Sequence, residues 1–407
     1  MESLNDRLKS LGFKTASSVS PPKKNDLKSL EEIISAEVVN NSQGSFLVRN
    51  DFYPFGYQHG HIVFTNSILS ERINQAAKLQ QSGIPLNSLL FLDTETSGLS
   101  GGSGSFAFLI GIGSFTELGF HLQQFIIRDP AEENSMLLHF SNLINSDTVF
   151  VTFNGKSFDV PLLQNRLILN RMPVNIKNNP HIDVLHLSRK LWRGHLPSCS
   201  LKELEVEILR MERTDEEVPG WMIPEIYFDY LRTGVADRLS NVVYHNAQDV
   251  VSLAALFIYI SALLEKNADL DDFEVSDLIS VGKIFLELNS VEIAEKVFLK
   301  CLEHSLLVHE KVVTNNYLAR IYKNRRESLR AVQYWKAAAN AGSFDACIEL
   351  AMYYEHQSRE ISSAILWTEH AGTIVSNMAA GMNKQRCRTD LEKRLKRLHM
   401  KEGELHD

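Results

Sequence analysis

Apolar residues come in short clusters along the middle of this chain and at helical spacing along its last third. SLLFLDTE, FAFLIGIGSF, GFHLQQFIIR and TVFVTFN, between residues 88 and 154, are continuous or alternating runs, the pattern of strands buried on one or both faces. EENSMLLHFSNLI, between the third and fourth runs, has the spacing of an amphipathic helix. Short links join the first three strands, which are therefore expected to be antiparallel. The helical crossover should return the fourth strand parallel to the first. The expected layer is α/β with a mixed sheet.

FDVPLLQNRLILNRM predicts another helix, and SNVVYHNAQDVVSLAALFIYISALLE a long one whose buried face carries Val250, Leu253, Ala254, Phe257, Ile258 and Leu264. From about residue 274 the texture is wholly helical. LISVGKIFLELNSVEIAEKVFLKCLEH, NNYLARIYKNRRESLRAVQYWKAAANAG and CIELAMYYEHQSREISSAILWTEHAG form a loose repeat with the length and layout of tetratricopeptide-type helix pairs. Three such units are the minimum for a self-supporting stack, and its concave face would offer a surface to a protein partner. The expected organisation is a mobile tail over residues 1–30, an N-terminal extension over 31–87, an α/β domain over 88–266 and a helical domain over 274–400.

The tail contains SVSPPKKNDLKS, which has little to bury. Over 407 residues the net charge is -8, so no overall basic footprint points to tight non-specific binding of nucleic acid; a local basic groove is still compatible with that balance. Cys199, Cys301, Cys347 and Cys387 lie too far apart in sequence for a paired zinc knuckle or a disulfide framework, which fits a reducing compartment. MESLNDRLKSLGF carries charge where a signal peptide needs an apolar core, and no window approaches the roughly 18 apolar residues of a membrane span. A soluble, cytoplasmic protein with no membrane partner is expected.

The chemistry begins in FLDTETSGLSGGSGSF, residues 91–106. Residues two apart on a strand share a face, so Asp93 and Glu95 should project together with Thr94 on the other side. Two like charges that close repel unless a cation lies between them or one takes up a proton. The glycines do not make a phosphate-binding loop, because no Gly-Lys-Ser/Thr follows and a strand begins where a helix would be needed. In TFNGKSFDVPLL, Asp159 stands at the start of a helix, where alone it reads as an N-cap. In YHNAQDVVSL, His245 stands four residues before Asp249 and on the same helix side, alone a surface ion pair.

Taken together, D-x-E-T, N-G-x-x-F-D-x-P and H/Y-x-x-x-D resemble the motifs of the DEDD or DnaQ-like exonucleases of the RNase H-like fold. HIDVLHLSRKLW, SLKELEVEIL and PEIYFDYLRTG resemble more narrowly the YprB-like group, which adds C-terminal tetratricopeptide-like helices. The resemblance spans roughly residues 88 to 264. It implies two-metal phosphodiester hydrolysis with Mg²⁺ or Mn²⁺, with Asp93, Glu95, Asp159 and Asp249 as both metal ligands and catalytic residues. By family position Asp93 bridges both ions, Glu95 and Asp249 complete the site of the attacking water, and Asp159 holds the second ion.

The histidine branch of that family places its His five residues before the last Asp, and the tyrosine branch its Tyr four before. Here Tyr244 and His245 hold those positions, so the tyrosine spacing carries a histidine. His245 is the candidate general base because it shares a face with Asp249; Tyr244 is the alternative. Asp183 is expected to be structural, His181 and His186 read equally as packing or hydrogen-bonding residues and as ligands, Asn154 and Gly155 are expected to shape the site wall, and Phe158 to be core rather than a stacking platform. The implied activity is a 3'-5' exonuclease on DNA or RNA, single-stranded or at ends. The alternatives are an endonuclease on the same fold and a protein-binding scaffold acting through the helical repeats.

Overall fold

The computed structural model describes residues 28–66, 71–79, 84–98, 104–213, 217–265, 273–379 and 381–404. Most of the expected tail, residues 1–27, lies outside them. The chain divides into two units, one of residues 1–186 and 200–260, the other of residues 187–199 and 261–407.

The first unit is built on a seven-stranded mixed sheet. Its strands are β1 (Glu37–Asn41), β2 (Gly44–Pro54), β5 (Leu89–Thr96), β6 (Ala107–Phe115), β7 (Gly119–Ile126), β8 (Val149–Thr152) and β9 (His181–Asp183), in the order β1-β2-β7-β6-β5-β8-β9; β3 (Gln58–His59) and β4 (Ile62–Val63) form a separate short hairpin. β5, β6 and β7 run antiparallel in sequence and β8 is parallel to β5, as the link lengths predict. The sheet is wider than the four runs implied. β2 pairs antiparallel with β7 and brings β1 with it, and β9 extends the parallel side. Thus residues 37–54, within the expected N-terminal extension, belong to the same sheet. SFLV there puts Phe46, Leu47 and Val48 in the core.

Helices of this unit in chain order are α1 (Leu30–Ile34), α2 (Glu71–Ala76), α3 (Glu133–Asn142), α4 (Asp159–Leu169), α5 (Val184–Trp192, which runs into the second unit), α6 (Leu201–Glu207), α7 (Ile223–Thr233) and α8 (Asp237–Leu263). Alternation along β5 sends Leu90 and Leu92 to one face, into a core with Phe108, Ile110, Phe140, Leu163 and Tyr227. Tyr227 of α7 stacks flat on Phe108 at 4.1 Å. Phe91 points to the opposite face, where its ring meets Phe115, Phe120 and Phe257 of α8 edge-on at 5.5 to 5.6 Å. Burying each of these rings is worth about 2 to 3 kcal/mol as an upper figure, so α8 is fixed firmly against the strand that carries Asp93 and Glu95.

Contrary to the expectation that no segment comes near a membrane span, α8 is long and apolar enough to cross one by composition. Of its most apolar 18-residue window, 72% is buried inside the protein, which is how a core helix passes the same test.

The second unit is helical: α9 (Val275–Glu287), α10 (Val291–Cys301), α11 (Val308–Asn324), α12 (Ser328–Asn340), α13 (Phe344–Tyr353), α14 (Ile361–Ser376) and α15 (Met382–Glu404), with a π-helical turn over Tyr354–Ser358. Consecutive helices pack as the pairs α9/α10, α11/α12 and α13/α14, which fall on the three sequence repeats. Tyr322 of α11 stacks on Tyr334 of α12, and Lys323 lies over the Trp335 ring.

Candidate active site

β5 ends in Asp93 and Glu95, and its register with β6 shifts between Glu95 and Thr96, a local irregularity that bends the strand end. Asp93 stands opposite Gly111. A Cβ at residue 111 would lie 2.3 Å from Asn246 Oδ1 and 2.9 Å from Val250 Cγ2, so glycine is what lets α8 lie this close to the sheet. Asn246, fully buried, donates from Nδ2 to Asp93 Oδ2 at 2.8 Å, and its Oδ1 accepts from Gln124 Nε2 at 2.9 Å. Gln124 Nε2 also reaches the Val243 carbonyl at 2.7 Å, which ties β7, α8 and β5 together behind Asp93.

Asp159 is the first residue of α4 and does not cap it; the cap position belongs to Phe158, which makes no side-chain cap bond. The buried Asp159 carboxylate instead accepts from Thr94 Oγ1 at 2.5 Å. Asp159 and Thr94 line the same cleft as Asp93 and Glu95.

α8 presents His245 and Asp249 one turn apart, with His245 Nε2 3.6 Å from Asp249 Oδ2 and 3.9 Å from Glu95 Oε1. Tyr244 lies close enough to Tyr57 to add to the rise in that hydroxyl's pKa, which burial dominates. Arg213, on the loop after α6, reaches Asp249 Oδ1 with Nη2 and His245 Nδ1 with Nη1, the latter at 3.2 Å.

Asp183 accepts the backbone N–H groups of Asn154, Lys156 and Leu185 at 2.9 to 3.1 Å, which fixes the turn after β8. His181 Nε2 lies 2.8 Å from Thr152 Oγ1, and burial pulls its pKa down to about 4. Gly155 is glycine for packing, since a Cβ there would stand 2.5 Å from the Thr152 Cβ. Asn154 takes a left-handed backbone (φ 68°) beside it. Phe158 is not core: it is 54% exposed, on the rim of a cleft of about 280 Å³ lined also by Asp93, Glu95, Asn154, Asp159, Leu162 and Gly220.

Burial and neighbouring acids raise the proton affinity of Asp93 and Glu95. Burial pushes Asp93 well above the usual carboxylate range, and the charges of Asp249 and Asp159 add to it against the Asn246 hydrogen bond and Arg213. Glu95 is driven the same way by burial, then by Asp93, Asp249 and Asp159. Asp159 is pushed up to about 6 by burial, with the Thr94 hydrogen bond opposing. The four acids, from three distant stretches of chain, thus share one electrostatic neighbourhood. Hard carboxylate oxygens whose repulsion Arg213 relieves only in part suit Mg²⁺ or Mn²⁺.

Among the described residues, however, no three His, Cys, Asp or Glu side chains close into a ready ligand cage. Three of the carboxylates are instead held by protein donors: Asp93 by Asn246, Asp159 by Thr94 and Asp249 by Arg213. Sequence pattern does not single out Asn246, Gln124, Thr94 or Arg213. Asn246 had one signal, an amide inside the quoted His-to-Asp motif; Arg213 lies in an aperiodic loop and had none.

A protein-family profile described as RNase H superfamily matches residues 90–261, the stretch that carries all four acids and Arg213. The chain is 31% identical over 337 residues to the protein YprB of Bacillus subtilis (strain 168), described as uncharacterized, and the match covers 80% of each. An RNase H superfamily domain points to hydrolysis of nucleic acid. By that identity and coverage, the chain belongs to the YprB family, built around an RNase H superfamily domain.

Proposed function

We propose that this protein is a divalent-metal-dependent nuclease, acting as a 3'-5' exonuclease on single strands or ends of DNA or RNA. The supporting observation is the shared neighbourhood of Asp93, Glu95, Asp159 and Asp249, a cluster of carboxyl groups that folding alone does not favour. Asp93, Glu95, Asp159 and Asp249 would hold two Mg²⁺ or Mn²⁺ ions, which when bound neutralise a phosphodiester and make water acidic enough to attack it. His245 is the candidate base for that water, 3.6 Å from Asp249. Asn246 keeps the Asp93 carboxylate from rotating, and the Phe158 ring on the cleft rim offers a face to a nucleobase.

A protein-binding scaffold is the second reading. Three consecutive helix pairs in the second unit favour it, in the layout of tetratricopeptide repeats, and that unit is the proposed seat of any protein partner. Four unreacted cysteines suit a reducing, cytoplasmic setting.

The deciding experiment gives the full chain and its Asp93→Asn variant the same end-labelled single-stranded DNA and RNA with Mn²⁺, beside a circular substrate. Degradation of linear strands by the parent protein alone is expected. Equal degradation by both proteins, or none by either, removes the nuclease reading, and cutting of the circle makes it an endonuclease.

A further inference from the structure

Arg213 is 5% exposed at its side chain, and all five of its N–H donors are used. Nε and Nη2 fork onto Glu205 at 2.6 and 2.7 Å, Nη1 donates to Glu217 at 3.0 Å and to His245 Nδ1 at 3.2 Å, and the second hydrogen of Nη2 goes to Asp249. Glu205 is itself buried and hydrogen-bonded by Ser252, whose hydroxyl lies 2.8 Å from the buried His59 Nε2. The guanidinium is therefore anchored from behind by a chain that runs to the β3/β4 hairpin. It has no N–H left for a substrate phosphate, so it does not act as a phosphate clamp.

Two consequences follow from donor chemistry. Arginine has no acceptor, so His245 Nδ1 must be the acceptor in their hydrogen bond, and a neutral His245 then carries its proton on Nε2, toward Glu95 and Asp249, so in this arrangement it is a donor to the site and can serve there as a base only after Arg213 releases Nδ1 and the proton changes nitrogen. Secondly, an Asp249 oxygen that accepts from a guanidinium has a fixed positive charge beside it, where a divalent ion would also have to stand.

We propose that Arg213 is a positioning residue that serves as the resident counter-cation of this site: it neutralises Asp249 and sets the His245 tautomer when no metal is bound, and it competes with divalent cations for Asp249. This rests on the metal-dependent nuclease reading. Asp249 would have to turn from Arg213 to give a divalent ion both its oxygens, and Glu205 and Glu217 would keep the released guanidinium paired.

The test measures Mn²⁺ binding to the full-length protein by calorimetry, for the parent, Arg213→Gln, Arg213→Lys and Asp93→Asn. Removing a fixed charge from beside a divalent ion is expected to tighten binding by about tenfold in Arg213→Gln, with a lower melting temperature in chelator that Mn²⁺ restores. Lysine keeps the charge but cannot span Glu205 and Asp249, so Arg213→Lys should tighten binding less, by about threefold. It decides alone if the glutamine variant does not fold. A purely structural role predicts the opposite sign, weaker Mn²⁺ binding in both, and that result or an unchanged affinity overturns the proposal. If the parent binds Mn²⁺ and Asp93→Asn abolishes it while the Arg213 variants match the parent, the proposal fails and the nuclease reading stands. If no variant binds Mn²⁺, both fall.

Discussion

Gly111 and Asn246 meet where the sheet and helix α8 come closest, and the side chain that glycine lacks is the space occupied by the amide that holds Asp93. Gly111→Ala would place a methyl carbon 2.3 Å from Asn246 Oδ1 and 2.9 Å from Val250 Cγ2, so α8 must shift or Asn246 must rotate away. Overpacking of this kind costs about 1 to 3 kcal/mol. The expected result is a lower midpoint in urea together with nuclease activity lost out of proportion to the fraction unfolded. A variant with normal activity would show that the Asn246–Asp93 bond is dispensable.

Phe158 leads to a prediction of a different kind. At 54% exposure on the cleft rim it contributes little to the core, so Phe158→Ala should leave the melting temperature within a degree or two of the parent. Stacking against a base is worth about 1 to 3 kcal/mol, which puts the expected rise in KM for single-stranded substrate at about tenfold with kcat little changed. An unchanged KM would remove Phe158 from the substrate path.

The strand order from β5 to β8 was legible because alternation and link length dictate pairing, and the repeats marked the three helix pairs. β1, β2 and β9 were not: β2 joins the sheet by pairing with β7 far along the chain, β1 joins only through its hairpin with β2, and β9 spans 3 residues, too few to carry a pattern. At the site, spacing and resemblance point to the acids, because they single out residues of one chemical type. Their keepers were missed for a physical reason: Asn246, Gln124 and Thr94 act through side-chain hydrogen bonds to distant segments, and Arg213 through ion pairs to segments up to 36 residues away. No periodicity encodes such contacts. Phe158 was misassigned because an aromatic before a helix is usually core, whereas here it stands at the cap position, facing out.

His59 sets an acid limit to stability. It is buried against Ser252, and burial, followed by the charge of Arg213, pulls its pKa down from 6.5 to about 4. A depressed histidine pKa means that the neutral ring is favoured in the folded state. Its contribution is therefore complete above pH 6.5 and is lost as pH falls toward 4, to a limit on the order of 3 kcal/mol. His59→Gln keeps a neutral polar group and should flatten the stability curve over that window relative to the parent. Parallel curves from urea titrations between pH 7 and 4.5 would refute this.

Glu355 makes the equivalent prediction for the second unit. It sits in the π-helical turn after α13 with no side-chain exposure, and accepts from Arg397 at 2.7 and 3.1 Å and from Lys401 at 2.7 Å, with Arg394 at 3.6 Å. Burial alone would raise its pKa, but Arg397 and Lys401 outweigh burial and hold it down to about 2. Helix α15 is polar along most of its length, so this one carboxylate gathers three of its cations and anchors its C-terminal half. Glu355→Gln removes the common counter-charge and leaves Arg394, Arg397 and Lys401 to repel one another. Because Arg397 and Lys401 are half exposed, solvent screening reduces the loss to about 1 to 2 kcal/mol. Amide hydrogen exchange should accelerate in α15 and the 354–358 turn while protection of β5 to β7 is unchanged. Added salt should narrow the difference between the two proteins, and unchanged protection across residues 391–401 would mean that apolar contacts at Leu391 and Leu398 hold the helix without the ion pairs.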